Sequence, residues 1–168
     1  EMQRSLVGSE MCIRDSCYNW IMKRKHPFEK ITLEVNIMNK VAAFLNANPV
    51  QYLATVGRDG KAKCRPFMFA GELEGKLWFC TNNQKDVYKD MQANPEIEIS
   101  VSSPEYAWIR LHGKAVFENN MAAKEMCIRN PIVKGQYQTA ANPIFEVFYL
   151  DNAHGIIADF SGNPPYQF

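Results

Sequence analysis

The sequence predicts an antiparallel barrel of the α+β class. Three observations predict it. Short runs of β-forming residues recur along the chain, separated by turn dipeptides such as Asp59-Gly60 and Glu74-Gly75. Several runs alternate apolar with polar residues, the period-two pattern of half-buried strands. No crossover βαβ pattern is present, and neither GxGxxG nor GxxxxGK[ST] occurs, so Rossmann and P-loop nucleotide binding have no support. Six or seven strands in hairpins with about three helices are expected.

Asn39–Asn48 carries Val41, Phe44 and Leu45 at helical spacing and ends before Pro49, so it reads as a short helix. Gln51–Val56 is a strand, and Asp59-Gly60 supplies the positive φ values of a tight hairpin. Lys61–Phe69 is the return strand, with Pro66 marking an edge or bulge because it cannot donate to a ladder. Glu74-Gly75 turns the chain into Lys76–Thr81, a mostly apolar strand. An asparagine of the Asn82-Asn83 pair is expected to cap a helix that has Asp86 in its first turn and runs to about Gln92.

In Glu96–Val101, Ile97, Ile99 and Val101 alternate with polar residues. Tyr106–Phe117 is a long strand, with Ala107, Ile109 and Leu111 on one face and Trp108, Arg110 and His112 on the other. Met121–Arg129 is helical. Phe145–Leu150 and Gly155–Phe160 are expected to form a hairpin around Asp151–His154. Ser161–Phe168, with Pro164-Pro165, is expected to lack regular structure.

Composition bounds the function. The 168 residues are 46% apolar and 22% charged, with a net charge of +1. That balance gives no electrostatic case for nucleic acid or an anionic membrane as the main partner. No apolar run approaches the roughly 18 residues of a membrane span. Five cysteines without a CxxC pair suggest neither a disulfide framework nor a zinc site.

The first 37 residues stand apart. Residues 5–16, Ser-Leu-Val-Gly-Ser-Glu-Met-Cys-Ile-Arg-Asp-Ser, resemble a translated transposase-type sequencing adapter. Leu33-Glu34-Val35 can be encoded with a GGAGGT ribosome-binding sequence at normal initiation spacing from the Met38 codon. Residues 1–37 are therefore expected to be a non-native or disordered leader, and 38–168 the functional domain. A natural N-terminal extension is the competing reading. The domain keeps Cys64, Cys80 and Cys127, and its acidic and basic residues balance. Reduced thiols in a cytoplasmic setting are the simplest expectation.

The catalytic inventory is thin. No nucleophile elbow or persuasive carboxylate pair appears. His112 lies mid-strand, where a structural or interface role is expected, and His154 lies in the expected turn. Cys80, in an apolar strand, reads as a core thiol. The positive signal is a set of cationic and hydroxyl groups. Arg65 follows the first hairpin turn, while Thr81, Asn82 and Lys85 lie where a strand passes into a helix. A helix N-terminus offers free N–H groups, so these residues suit a phosphate monoester. Arg65 and Lys85 read equally as plain surface charges. Phe67, Phe69, Trp78 and Trp108 are flat neighbours that could border a ring system.

Taken in order, Tyr52–Val56, Cys64-Arg65-Pro66-Phe67-Met68-Phe69, Leu77–Tyr88, Trp108–Ala115 and Asn142–Phe148 resemble the pyridoxamine 5′-phosphate oxidase-like FMN-binding split-barrel family, in its small Nim-like branch of anaerobic bacteria. The resemblance covers 38–168. It implies a six-stranded split barrel that forms a homodimer with FMN at the interface, acting as an oxidoreductase on a small molecule. By position it implies that Arg65 and Lys85 hold the FMN phosphate, with Thr81 and Asn82 adding hydrogen bonds. Cys80 falls in the same cofactor-binding stretch, Pro66, Phe67 and Met68 would lie along the flavin ring, and Trp108 would approach it from the partner subunit. True pyridoxamine-phosphate oxidases carry a lysine where this chain has about Ala70, and their basic C-terminal motif is missing here. Vitamin B6 oxidation is therefore not expected. No counterpart of the flavin-proximal histidine of nitroimidazole-reducing members stands beside Phe69 or Ala70. A non-enzymatic flavin- or haem-binding protein, with His112 the residue to watch, is the alternative; a barrel that has lost its cofactor is a third reading.

Overall fold

The computed structural model describes residues 38–168, so the expectations for residues 1–37 lie outside the described residues. Helix α1 covers 38–47, and its apolar stripe buries Val41 and Leu45 completely. Strand β1 (Gln51–Val56) alternates strictly: Gln51, Leu53 and Thr55 are buried, and Tyr52, Ala54 and Val56 are exposed. The turn that follows gives positive φ only to Gly60, whose N–H donates to the Gly57 carbonyl at 2.8 Å. Asp59 keeps negative φ, so the loop is not the two-residue turn expected from Asp-Gly. Glu74 and Gly75 both take positive φ (55° and 72°), the type I′ geometry that matches strand twist.

The expected return strand is two strands. β2 (Ala62–Phe67) pairs with β1, and β3 (Phe69–Leu73) pairs instead with β4 (Lys76–Asn82). Pro66 lies in β2 opposite Tyr52, on an edge strand where its missing N–H costs nothing. The strand order is β2-β1-β5-β6-β7-β4-β3, all antiparallel, with β5 Glu96–Ser102, β6 Trp108–Phe117 and β7 Phe145–Ala158. The sheet thus curls until its two edges, β2 and β3, are joined through Met68 without pairing. That open seam makes the barrel split. Gln51 holds it: its buried amide donates to the Leu45 and Asn48 carbonyls and accepts the Phe69 N–H at 2.8 Å.

Three other expectations are corrected. Residues 145–158 form one 14-residue strand, not a hairpin. β7 pairs with β6 along its length, and the register slips by one residue where Asn152 takes φ of 53°. This bulge bends the strand around the barrel without ending it. The tail contains β8 (Tyr166–Gln167), which pairs with Ile156 and Ile157 of β7, and Phe168 exchanges two backbone hydrogen bonds with Gly155. Helix α2 (Asp86–Ala93) has Lys85, not an asparagine, at its N-cap. Asn82 is occupied in the preceding loop, where its Oδ1 accepts the Gln84 N–H at 2.7 Å.

Helix α3 (Met121–Ile128) is capped by Asn120. A further helix, α4 (Pro131–Tyr137), was not expected, although Asn130-Pro131 is a regular cap and first-turn pair. Gly135 within only seven residues hid the helical pattern. Among the described residues, four helices and eight strands bury two apolar groups. Inside the barrel lie Leu53, Phe79, Ile99, Ile109, Leu111 and Phe148, and α1 covers one part of it. On the other face of β4 and β7, α3 and α4 pack over Trp78, Cys127, Val133, Tyr137, Phe145 and Val147.

Candidate functional site

Arg65 lies opposite Leu53 in the β1/β2 ladder, so its side chain starts on the barrel-lining face. Its Nη1 donates to Thr55 Oγ1 at 2.7 Å and to the Leu53 carbonyl at 3.4 Å. Its charge also reaches Asp90 on α2. Two residues on, the Phe67 ring lies 6.3 Å from Phe79 and 6.0 Å from Phe148, still inside the barrel. Arg65 is therefore not the plain surface charge of its bland reading.

Thr81 follows Phe79 by two residues on β4 and shares its barrel-facing side. It is 2% exposed, and its Oγ1 has no hydrogen-bond partner among the described residues. Such an atom is uncommon, because an unmet buried hydroxyl costs about 1–3 kcal/mol. Asn82 closes the loop after β4, and the exposed Lys85 begins α2. Arg65 on β2 and Thr81 on β4 thus both face the barrel interior, and Lys85 stands exposed at the start of α2.

Cys80 is placed differently. Its side chain joins Trp78 on the opposite face of β4, against α3. The Cys127 thiol hydrogen-bonds to it, and together with the Lys85 charge this holds the Cys80 thiol below the usual range despite burial. The Cys127 thiol is pushed up by the same contact and by burial. Burial, with Cys80 nearby, pushes the Tyr137 phenol up to about 12. Any contact from Cys80 to a ligand beside Thr81 would have to come from its backbone. Met68 also turns to this side, where Asn130 Nδ2 donates to its Sδ at 3.5 Å.

The four expected ring neighbours do not cluster. Phe67 and Phe69 line the barrel, Trp78 packs edge-on to Tyr149 under α3, and Trp108 lies on the outer face against Phe160. One outer row across the sheet reads Pro66, Tyr52, Ser100, Arg110, Ile156. Trp108 lies two residues from Arg110 on β6. Three strand spacings, about 14 Å, separate it from the Pro66 strand within one chain. The adjacent row brings together Glu98, His112 and His154. Arg110 Nε donates to Glu98 at 2.7 Å and is the main cause of the lowered Glu98 carboxyl. His154 is in β7, not in a turn, and stacks on His112 with centroids 5.5 Å apart. They line an open pocket of about 410 Å³ with Arg110, Gln167 and Phe168.

Several residues escaped the sequence reading. Thr55 needed the hairpin register, which the two-residue turn expected at Asp59-Gly60 would have set one residue off. The Arg58–Asp90 pair was not visible in the sequence, because it joins a turn to a helix. Arg58 donates from its backbone N and from Nε to Asp90 Oδ1, each at 3.1 Å, and from Nη2 to Asp86 at 2.7 Å.

The family model described as pyridoxamine 5′-phosphate oxidase matches residues 37–154. A NimC/NimA family protein from Clostridium acetobutylicum is 30% identical, with a TM-score of 0.74 over 85% of this chain and 100% of that one. General Stress Protein 26 from Bacillus anthracis shares the fold at 16% identity, with a TM-score of 0.64 over 79% and 98% of the two chains. A heme binding protein from Mycobacterium smegmatis shares it at 17% identity, with a TM-score of 0.61 over 73% of this chain and 53% of that one. No curated protein matches the sequence. Among the described residues, no helix is long and apolar enough to cross a membrane. With its unclosed antiparallel sheet and a match over most of its length, the chain belongs to the pyridoxamine 5′-phosphate oxidase family, with NimC/NimA proteins among its relatives.

Proposed function

We propose that this protein is an FMN-dependent oxidoreductase of the cytoplasm that works as a homodimer on a small molecule. The observation that carries the reading is the buried Thr81 hydroxyl, which has no partner among the described residues. A phosphate oxygen at Thr81 would meet it. Arg65, steadied by Thr55, supplies a planar cation for the same phosphate. Lys85 adds charge at the start of α2, where free N–H groups favour an anion. FMN supplies two-electron redox chemistry when bound. The chain's own residues bind the phosphate and orient the ring along the Pro66–Met68 backbone, with Trp108 of a second copy shielding it from water.

The substrate is not pyridoxamine 5′-phosphate on this reading. Ala70, where the true oxidases have a lysine, packs into the apolar group under α3 and α4 and offers a phosphate nothing. A second reading, haem binding, is favoured by the stacked His112 and His154 on the outer face.

An absorption spectrum of the purified protein tests both. Flavin bands that bleach with reductant and return in air are expected. A Soret band without flavin supports the haem reading instead. The double variant Arg65→Ala, Lys85→Ala is expected to keep the fold by circular dichroism and lose FMN. A folded double variant that retains FMN overturns the phosphate assignment.

A further inference from the structure

We propose that the open pocket on the outer face of β6 and β7 binds a small 2-hydroxy carboxylate that carries an apolar ring. The pocket holds about 410 Å³ and lies outside the barrel interior that Thr81 faces. Arg110 and His112 come from β6, His154 and Ile156 from β7, and Gln167 and Phe168 from the tail. Strand register builds it: Arg110 lies opposite Ile156, and His112 lies opposite His154. The tail is held in place by two hydrogen bonds between the Phe168 and Gly155 backbones, at 3.0 and 3.1 Å. Glycine is required at 155, because a side chain there would strike the Arg110 carbonyl and stand 3.1 Å from the Phe168 ring.

The polar groups of this lining call for two different partners. Arg110 commits its Nε to Glu98 at 2.7 Å, and its two Nη groups have no hydrogen-bond partner among the described residues. They can only donate, and two N–H groups on a planar cation suit a carboxylate. The imidazoles call for a donor instead. His154 Nδ1 lies 2.7 Å from the Asn152 carbonyl oxygen, which can only accept. In the neutral ring the proton is therefore on Nδ1, and Nε2 keeps its lone pair. His112 Nδ1 lies 3.5 Å from the Glu98 carboxylate, which favours the same tautomer, and its ring stacks on His154 with centroids 5.5 Å apart. A ligand hydroxyl donates to His154 Nε2. An ammonium fits less well, because the Arg110 guanidinium repels a second cation and Glu98 is already paired. Phe168 and Ile156 offer an apolar wall to the ring. Binding makes and breaks no covalent bond and draws on no cofactor, so the site goes beyond the flavin reading.

The test titrates mandelate into the isotope-labelled full chain and follows the imidazole nitrogens by NMR, at about pH 8, where an ordinary imidazole is neutral. Saturable binding is expected, with the His154 Nε2 resonance shifting. Phenylacetate, which lacks the hydroxyl, should bind about fivefold more weakly, and methyl mandelate, which lacks the charge, about tenfold more weakly. Arg110→Gln should bind mandelate and its methyl ester alike. His154→Phe, which keeps a flat ring, should bind mandelate and phenylacetate alike. Both positions are exposed, and circular dichroism should show folded variants. The proposal is overturned if mandelate gives no saturable shift, if the three ligands bind alike, or if phenylglycine, with an ammonium in place of the hydroxyl, binds more tightly. It is equally overturned if the folded variants keep the wild-type preferences.

Discussion

Arg65 Nη1 donates to Thr55 Oγ1 across the β1/β2 ladder at 2.7 Å. The contact fixes the guanidinium on the barrel-lining face, the side that Thr81 shares. Thr55 is buried, so its hydroxyl has little else to bind. Thr55→Val keeps the shape and removes the acceptor. It should lower stability by about 1 kcal/mol, since half-buried Arg65 can rehydrate. On the flavin reading it should also weaken FMN binding several-fold. Fluorescence titration with FMN and urea denaturation measure the two effects. Unchanged FMN affinity would mean that Thr55 does not position Arg65 for the phosphate.

Gln51 spans the seam of the barrel with three hydrogen bonds to backbone. Gln51→Leu leaves the Phe69 N–H and the Leu45 and Asn48 carbonyls short of partners in a dry place. The expected loss is about 2–4 kcal/mol, read from denaturant melts. Hydrogen exchange should rise first at Phe69 and the end of α1. A loss under about 0.5 kcal/mol, the size of an ordinary surface change, would show that the seam does not depend on this amide.

Asp90 is buried on α2 and takes hydrogen bonds from the Arg58 backbone and side chain, with Arg65 nearby. These hold its carboxyl below the ordinary 3.8. A depressed carboxyl stabilises the fold fully above its unfolded pKa and loses that contribution as pH falls through the folded value. Stability should therefore decline below about pH 4, and Asp90→Asn should flatten that part of the profile while being less stable at pH 7. Parallel pH profiles for wild type and variant would argue that Arg58 and Asp90 do not couple α2 to the first turn.

The outer face of β1 exposes Tyr52 and Val56, and that of β6 leaves Trp108 half-buried. Tyr52 is 48% exposed and lies between Pro66 and Ser100 in the ladders. On the homodimer reading, Tyr52→Glu places a charge in that interface. Sedimentation should show a folded monomer that has lost FMN. A Tyr52→Glu protein that remains dimeric would move the interface to another face.

Much of this architecture was legible in the residues. Gln51–Val56, Lys76–Thr81 and Glu96–Val101 stand out because period two and turn dipeptides are local properties of the chain. The split-barrel family was legible from ordered segments, and with it Arg65, Thr81 and Lys85 as candidates. What failed was non-local. Nothing in Lys61–Phe69 says that the chain changes partners at Met68, since either half pairs as well locally. A bulge at Asn152 and a true hairpin turn share the same residues; only the neighbouring β6 keeps the strand going. The tail becomes β8 because β7 offers it an edge.

The sequence by itself determined the strands that alternate or run apolar between turn dipeptides, such as Gln51–Val56, Lys76–Thr81 and Glu96–Val101, and singled out residues that could carry a phosphate. Tertiary structure alone decided which of these meet. Period-two alternation sends Thr81 into the barrel and Cys80 out to α3, so adjacent residues acquire different chemistry. The hydroxyl is left wanting a ligand, and the thiol finds Cys127. Those pairings depend on which strand or helix packs alongside, and that is set by burial across the whole sheet.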